Sequence, residues 1–264
     1  MIFGMPSLIE LNNLDETMQL CRKLGLSFVE LNMNLPPYQL KKLENTAFLK
    51  ELKDRYQVFY TIHLDENLNI SDFNPLVADA YRQTVERTIE VAKKLEMPVL
   101  NMHMNHGIHF TLPDKKVNLF EQYKEIYLES MLSFRDMCEN IIANSDIHIC
   151  IENTDGFRNY EKEAIELLLQ SKVFALTWDI GHSNASDNID ESFLLKNAKH
   201  LYHFHIHDGR SKSNHMALGT GDIDLEQRLN IAKQLHCRCV IETKTVESLK
   251  KSVSWLEEHP NLKR

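Results

Sequence analysis

The chain has 264 residues, 43% of them hydrophobic and 26% charged, and a net charge of −8. That is the size and balance of one globular domain with a large core, and it argues against a disordered chain and against a broad electrostatic surface for nucleic acid. No run of about 18 apolar residues could span a bilayer, and Met1-Ile2-Phe3-Gly4-Met5-Pro6 carries no basic leader, so a cytoplasmic protein with no membrane partner is expected.

Taken in chain order, short β-branched or aromatic runs alternate with longer amphipathic segments, the pattern of βα units around a parallel sheet. Strands are expected at residues 2–5, 28–31, 58–63, 99–103, 147–152, 174–179, 201–207 and 239–242, each followed by a helix candidate. The helix at 14–24 carries Leu14, Met18, Cys21 and Leu24 on one face and stops at Gly25. Those at 76–95 and 119–142 are the longest, and 246–256 closes the chain. Eight such units in about 260 residues fit a closed barrel better than an open sheet, so the expectation is an α/β fold, one (β/α)₈ TIM barrel spanning 1–264. The five cysteines (Cys21, Cys138, Cys150, Cys237, Cys239) are scattered and odd in number, which suits buried thiols rather than a disulfide framework.

Side chains alternate along a strand with a period of two, and here the polar ones fall in phase. Thr61 shares a face with His63, Asn101 with His103, and His148 with Cys150 and Glu152; Thr177 pairs with Asp179, His203 with His205 and His207, and Glu242 stands opposite Ile241. Inward ionisable groups at the C-terminal ends of several strands are how this fold builds an active site. Imidazole and carboxylate together suit zinc, manganese, iron or cobalt, and a metal makes many ionisable groups tolerable in one cavity. The candidate ligands are His63, His103, Glu152, Asp179, His182, His205, His215 and Glu242. Zinc or manganese is expected first, with cobalt, iron or magnesium as alternatives. Weaker signals are the Leu218-Gly219-Thr220-Gly221 turn, whose N–H groups could approach a phosphate or sugar oxygen, the bases Arg210 and Lys212, and the loop histidines His106 and His109.

The chain resembles the xylose isomerase-like barrel superfamily, which contains sugar isomerases and epimerases together with apurinic endonuclease IV. The resemblance is carried in order by Phe28-Val29-Glu30-Leu31, His63, Asn101-Met102-His103, Ile151-Glu152-Asn153-Thr154, Trp178-Asp179-Ile180-Gly181-His182, Phe204-His205-Ile206-His207-Asp208, the turn from Leu218 to Asp224, and Ile241-Glu242-Thr243. In the isomerase branch it implies one metal on Glu152, Asp179, His205 and Glu242. In the endonuclease branch it implies further ions on His63 with His103 and on His182 with His215. Ser213 departs from that branch, whose pattern has an aspartate two residues before His215.

The expected function is a metal-dependent isomerase or epimerase acting on a small sugar or sugar phosphate. Glu152 and Glu242 would serve as paired acid and base, and His182 would orient the substrate. The alternatives are an endonuclease IV-like phosphodiesterase, against which stand Ser213 and the want of a Lys/Arg cluster, a metal-dependent dehydratase, and a metal-binding barrel without catalysis. A homo-oligomer is compatible with all of these.

Overall fold

The structure, a computed structural model, describes residues 1–263. Eight parallel strands close a barrel: β1 (Ile2–Pro6), β2 (Phe28–Asn32), β3 (Phe59–His63), β4 (Val99–His103), β5 (His148–Glu152), β6 (Phe174–Asp179), β7 (Leu201–Ile206) and β8 (Arg238–Ile241). Each strand pairs with its neighbours in sequence, and β8 returns to β1. All eight expected strands are present, with ends within one residue of the expectation.

The helices that wrap the barrel are ended by side chains the sequence supplies. Asn13 accepts from the Glu16 N–H to start Leu14–Lys23, Asn74 caps Pro75–Leu95 with proline in its first turn, and Thr245 caps Val246–Glu258. The helix expected at 119–142 is two: Asn118 caps a single turn, Leu119–Gln122, and Tyr123 at φ −115°, ψ 45° breaks it from Lys124–Ile142. Two short antiparallel hairpins were not legible, because three- or four-residue strands show no period. One pairs His109–Thr111 with Lys116–Asn118 after β4, the other Asp208–Arg210 with Ser213–Met216 after β7.

Outward strand residues meet the helices in a continuous core. Trp178 on β6 is fully buried, its indole N–H donates to Ser183 Oγ at 2.9 Å, and the Arg228 guanidinium lies 4.8 Å from the ring centre. Phe134, Phe174 and Phe204 pack in the same shell, each stabilising the fold by about 1.5–3 kcal/mol through burial. Inside the barrel the chemistry is layered. Val99, Cys150 and Ala175 form a small apolar floor, and polar groups take over above it. All five cysteines are free and buried, and burial pushes the Cys237 thiol up to about 12, which disfavours the thiolate a metal would need. Among the described residues, no helix is long and apolar enough to cross a membrane.

Candidate metal centre and active site

His205 on β7 is fully buried at the centre of the mouth. Its Nδ1 lies 3.1 Å from Glu152 Oε1 on β5, 3.3 Å from Glu242 Oε2 just past β8, and 3.8 Å from Asp179 Oδ2 at the end of β6. One donor atom from each of these four residues falls within 4.8 Å of the others. The placement is set by the strands. Asp179 lies in register with His205, and the Glu242 N–H donates to the Ile206 carbonyl at 2.9 Å. Asp179 is fixed further by Asn153, whose Oδ1 accepts the Asp179 N–H and whose Nδ2 donates back to the Asp179 carbonyl.

Burial is the largest single influence and would raise the Glu152 and Glu242 carboxyls, yet His205 together with His103 and His182 at Glu152, and His205 together with Lys244 at Glu242, holds both well below the usual range. Burial likewise opposes charge on His205, and the surrounding carboxylates overcome it. Glu242 Oε2 is buried with no hydrogen-bond partner. A buried carboxylate oxygen without a donor is costly unless a cation meets it, so this donor set fits a divalent ion.

The other nitrogen of His205 points down the barrel, where Glu30 on β2 lies beneath it. Glu30 Oε1 is 2.8 Å from His205 Nε2, a close but poorly aligned contact, and Glu30 Oε2 accepts from His203 Nε2 and Thr61 Oγ1, both at 3.0 Å. A carboxylate below, holding Nε2–H, leaves the Nδ1 lone pair facing the site, the usual arrangement behind a metal-binding histidine. Burial would raise the Glu30 carboxyl, but His205 and His203 keep it depressed.

Glu152 serves two clusters. Its Oε1 faces His205 and His182, while its Oε2 lies 3.0 Å from His103 Nε2 and 3.4 Å from His63 Nε2 and also accepts from the Asn101 amide. Thr177 Oγ1 donates to Asn101 Oδ1 at 2.5 Å, which fixes the amide so that its N–H₂ faces Glu152. His63 Nδ1 is 2.8 Å from the Leu64 carbonyl, an oxygen that can only accept, so Nδ1 carries the proton and Nε2 is free for a ligand.

The same reasoning separates the histidines on the far side. His182 Nδ1 faces the Asn153 carbonyl at 3.2 Å and His215 Nδ1 faces the Glu242 carbonyl at 3.1 Å, so in both Nδ1 keeps its proton and Nε2 is the nitrogen a metal would take. His207 also joins this group, where three nitrogens come within ligand distance. Its Nδ1 lies 3.2 Å from the Asp208 carbonyl but accepts the His215 N–H at 2.8 Å, the shorter contact and one that can only donate, so its proton sits on Nε2, 3.1 Å from Asp179 Oδ1. His207 is therefore a hydrogen-bond donor that orients Asp179. Gly181 makes room for that ring, since a Cβ there would sit 1.7 Å from His207 Cε1. Ser213 is exposed at the start of the second strand of the hairpin after β7.

All eight sequence-predicted ligands thus converge on one mouth. The residues that sequence reasoning missed are Glu30, Asn101, His207 and Lys244, whose Nζ donates to Glu242 Oε1 at 2.8 Å. For the first three the inward phase of the strands was the available signal. Lys244 gave none. The weaker expectations fare differently. The Leu218–Gly221 turn does not offer its N–H groups to a ligand: with Gly209, it wraps the buried Asp208, whose carboxylate accepts from Gly209, Gly221 and Ile223. A Cβ on Gly221 would meet Asp208 Oδ1 and the Gly209 carbonyl, both at 2.3 Å. Arg210 is paired with Asp222 and Lys212 with Asp187. His106 is held between Glu161 and Asp155, and His109 lies exposed on the first hairpin.

Comparison with known proteins agrees with this fold. The chain is 28% identical to an uncharacterized protein of Methanocaldococcus jannaschii, over 79% of this chain and 80% of that one. Among solved structures it is similar to a D-tagatose 3-epimerase-like protein at 25% identity and a TM-score of 0.79, covering 100% of this chain and 98% of that one. It shares its fold with the IOLI protein, solved with a zinc atom, at 14% identity and a TM-score of 0.74 over 100% and 98% of the two chains. The family model described as xylose isomerase-like TIM barrel matches residues 18–259, and the chain belongs to that family.

Proposed function

We propose that the protein is a divalent-metal-dependent sugar isomerase or epimerase. The observation that carries this reading is the pair of buried carboxylates, Glu152 and Glu242, on either side of His205 Nδ1 and reached from strands β5 and β8. The likeness to an epimerase-like structure supports it. Glu152, Asp179, His205 and Glu242 would hold one ion, and His63 and His103 would hold a second, sharing Glu152. A third would have only His182 and His215 to bind it, because His207 presents a proton and position 213 holds a serine in place of a carboxylate.

A divalent ion in this donor set supplies Lewis-acid polarisation of a carbonyl and its neighbouring oxygen. The protein's own groups do the rest. One of the two glutamates takes the proton from the carbon next to the carbonyl, leaving a planar enediolate; the other, after taking up a proton from water at the mouth, gives it to the opposite face, and the first releases its proton to water. His182 orients substrate oxygens. Asp179, held by Asn153 and His207, keeps the geometry from shifting as charge develops. The test is exchange of that C–H proton in D₂O, followed by NMR, with metal-loaded protein and a panel of ketoses. Metal-dependent exchange is expected. No exchange with any ketose, together with cleavage of a phosphodiester, would sink the reading in favour of hydrolysis, for which the extra histidine ligands speak.

Metal uptake should depend on pH with a definite sign. Burial favours neutral imidazole, but Glu152 lifts His63 to about 9, and Asp179 with Glu152 lifts His182 to about 10. Both are protonated at neutral pH without metal, and coordination needs the neutral ring. Each histidine that binds then releases a proton, so affinity rises by about tenfold per pH unit per proton below those values. Zinc titrated into the apoprotein in weak buffer at about pH 7 is expected to acidify the solution; an affinity flat with pH would show these rings already neutral.

A further inference from the structure

Lys244 follows Glu242 by two residues in the loop between β8 and the closing helix, and its ammonium makes a single hydrogen bond, to Glu242 Oε1. Glu242 is thereby divided: Oε2 turns inward to His205, and Oε1 turns outward to the lysine. An ammonium has three donors, so two remain free at the mouth. The lysine side chain is 55% exposed where that of Glu242 is 9%, which puts a charged, reachable group directly above a buried ligand. Other basic residues near the rim are spent. Arg158 holds Asp155, Arg210 holds Asp222 and the Thr220 carbonyl, and Lys212 holds Asp187 and the Ala185 carbonyl. Among the described residues, Lys244 is the one lysine or arginine paired with a carboxylate of the centre.

The charge balance points the same way. Glu152, Asp179 and Glu242, with Glu30 beneath them, bring −4; with Lys244 counted, one divalent ion leaves −1 and two ions leave +1. A centre that is positive when both ions are bound, with spare N–H donors at its edge, suits a substrate carrying an anionic group.

We propose that Lys244 anchors a phosphate or carboxylate on the substrate, so that this site works on an acidic sugar rather than a neutral one. The proposal rests on the isomerase or epimerase reading for the word sugar, and on the lysine for the charge. A charge-assisted hydrogen bond of this kind gives the anionic substrate its preference without touching the reacting carbon.

The test compares metal-loaded wild type, Lys244→Met and Lys244→Arg by calorimetry with a neutral ketohexose, its terminal phosphate ester and the corresponding sugar acid, together with metal content and C–H exchange in D₂O. The wild type is expected to bind at least one anionic sugar about tenfold or more tightly than the neutral one. The methionine variant should lose that preference with its metal intact, and the arginine variant should keep most of it. Which acid gains says whether phosphate or carboxylate is the partner. Equal binding of neutral and anionic sugars in the wild type, binding of none, or a preference that survives Lys244→Met overturns the proposal. A loss of metal in Lys244→Met also overturns it, by making the lysine a support for Glu242. Exchange on a neutral sugar without any preference for the anion leaves the reaction standing and removes the anchor. A Lys244-dependent preference without exchange does the reverse.

Discussion

Glutamine in place of Glu152 is expected to lower turnover by about 10³-fold and to strip metal from the centre, the largest effect of any single change at the mouth. Both oxygens of Glu152 are committed, Oε1 to His205 and His182 and Oε2 to Asn101, His103 and His63. An amide has one acceptor where the carboxylate has two. Whichever way it turns, its N–H₂ faces either the Asn101 N–H₂, a donor against a donor, or the nitrogen lone pair of His205. Glu242→Gln is the comparison. Glu242 has no part in the His63–His103 cluster, so that variant should keep an ion there while losing about 10²–10⁴ in exchange rate. Metal analysis and the D₂O exchange rate measure both. Full metal content and full exchange in Glu152→Gln would show that it is neither ligand nor base.

Loss of Glu30 is expected to act from below. Glu30→Ala leaves His203 and His205 buried without their acceptor, and breaking a buried charged pair in this way costs about 3–5 kcal/mol, a fall of about 10 °C in Tm. Glu30→Gln keeps the shape and one acceptor, so it should fold better. It no longer fixes the proton of His205 on Nε2, and affinity for zinc should drop by about 10–100-fold. Thermal unfolding and competition with a chelator separate the two effects. A Glu30→Gln protein that holds zinc as the wild type does would reduce Glu30 to a filler of the barrel.

The barrel was legible because its signal is periodic and repeated. Ile62 between Thr61 and His63, or Ile151 between Cys150 and Glu152, announces which side faces in, and six of the eight candidate ligands follow from that phase; His182 and His215 lie beyond the strand ends. What the period cannot carry is the direction of a proton. His207 shares the inward face of His205, but it donates to Asp179 because the hairpin after β7 turns the His215 N–H onto its Nδ1. That turn places His215 at φ +55°, a left-handed conformation that costs a non-glycine residue about 1 kcal/mol or more and that no pattern of residues foretold. The Ser213 argument rests on the sequence alone: a residue type missing where a ligand would be needed. Lys244 looked like any lysine on a loop, since its partner reaches the site through the pairing of β8 with β7 rather than through local spacing.

The three carboxylates gathered around His205 have one more consequence. Without an ion, protonated His63, His182 and His205 offset their charge; an ion would take over that part. An ion bound to the native state alone would add about 4 kcal/mol to the free energy of unfolding at a thousand times its Kd, against a total that for most domains is about 5–15 kcal/mol. Ion supply and protein lifetime would then be linked: a cell short of the metal would lose folded chain by proteolysis of its opened form.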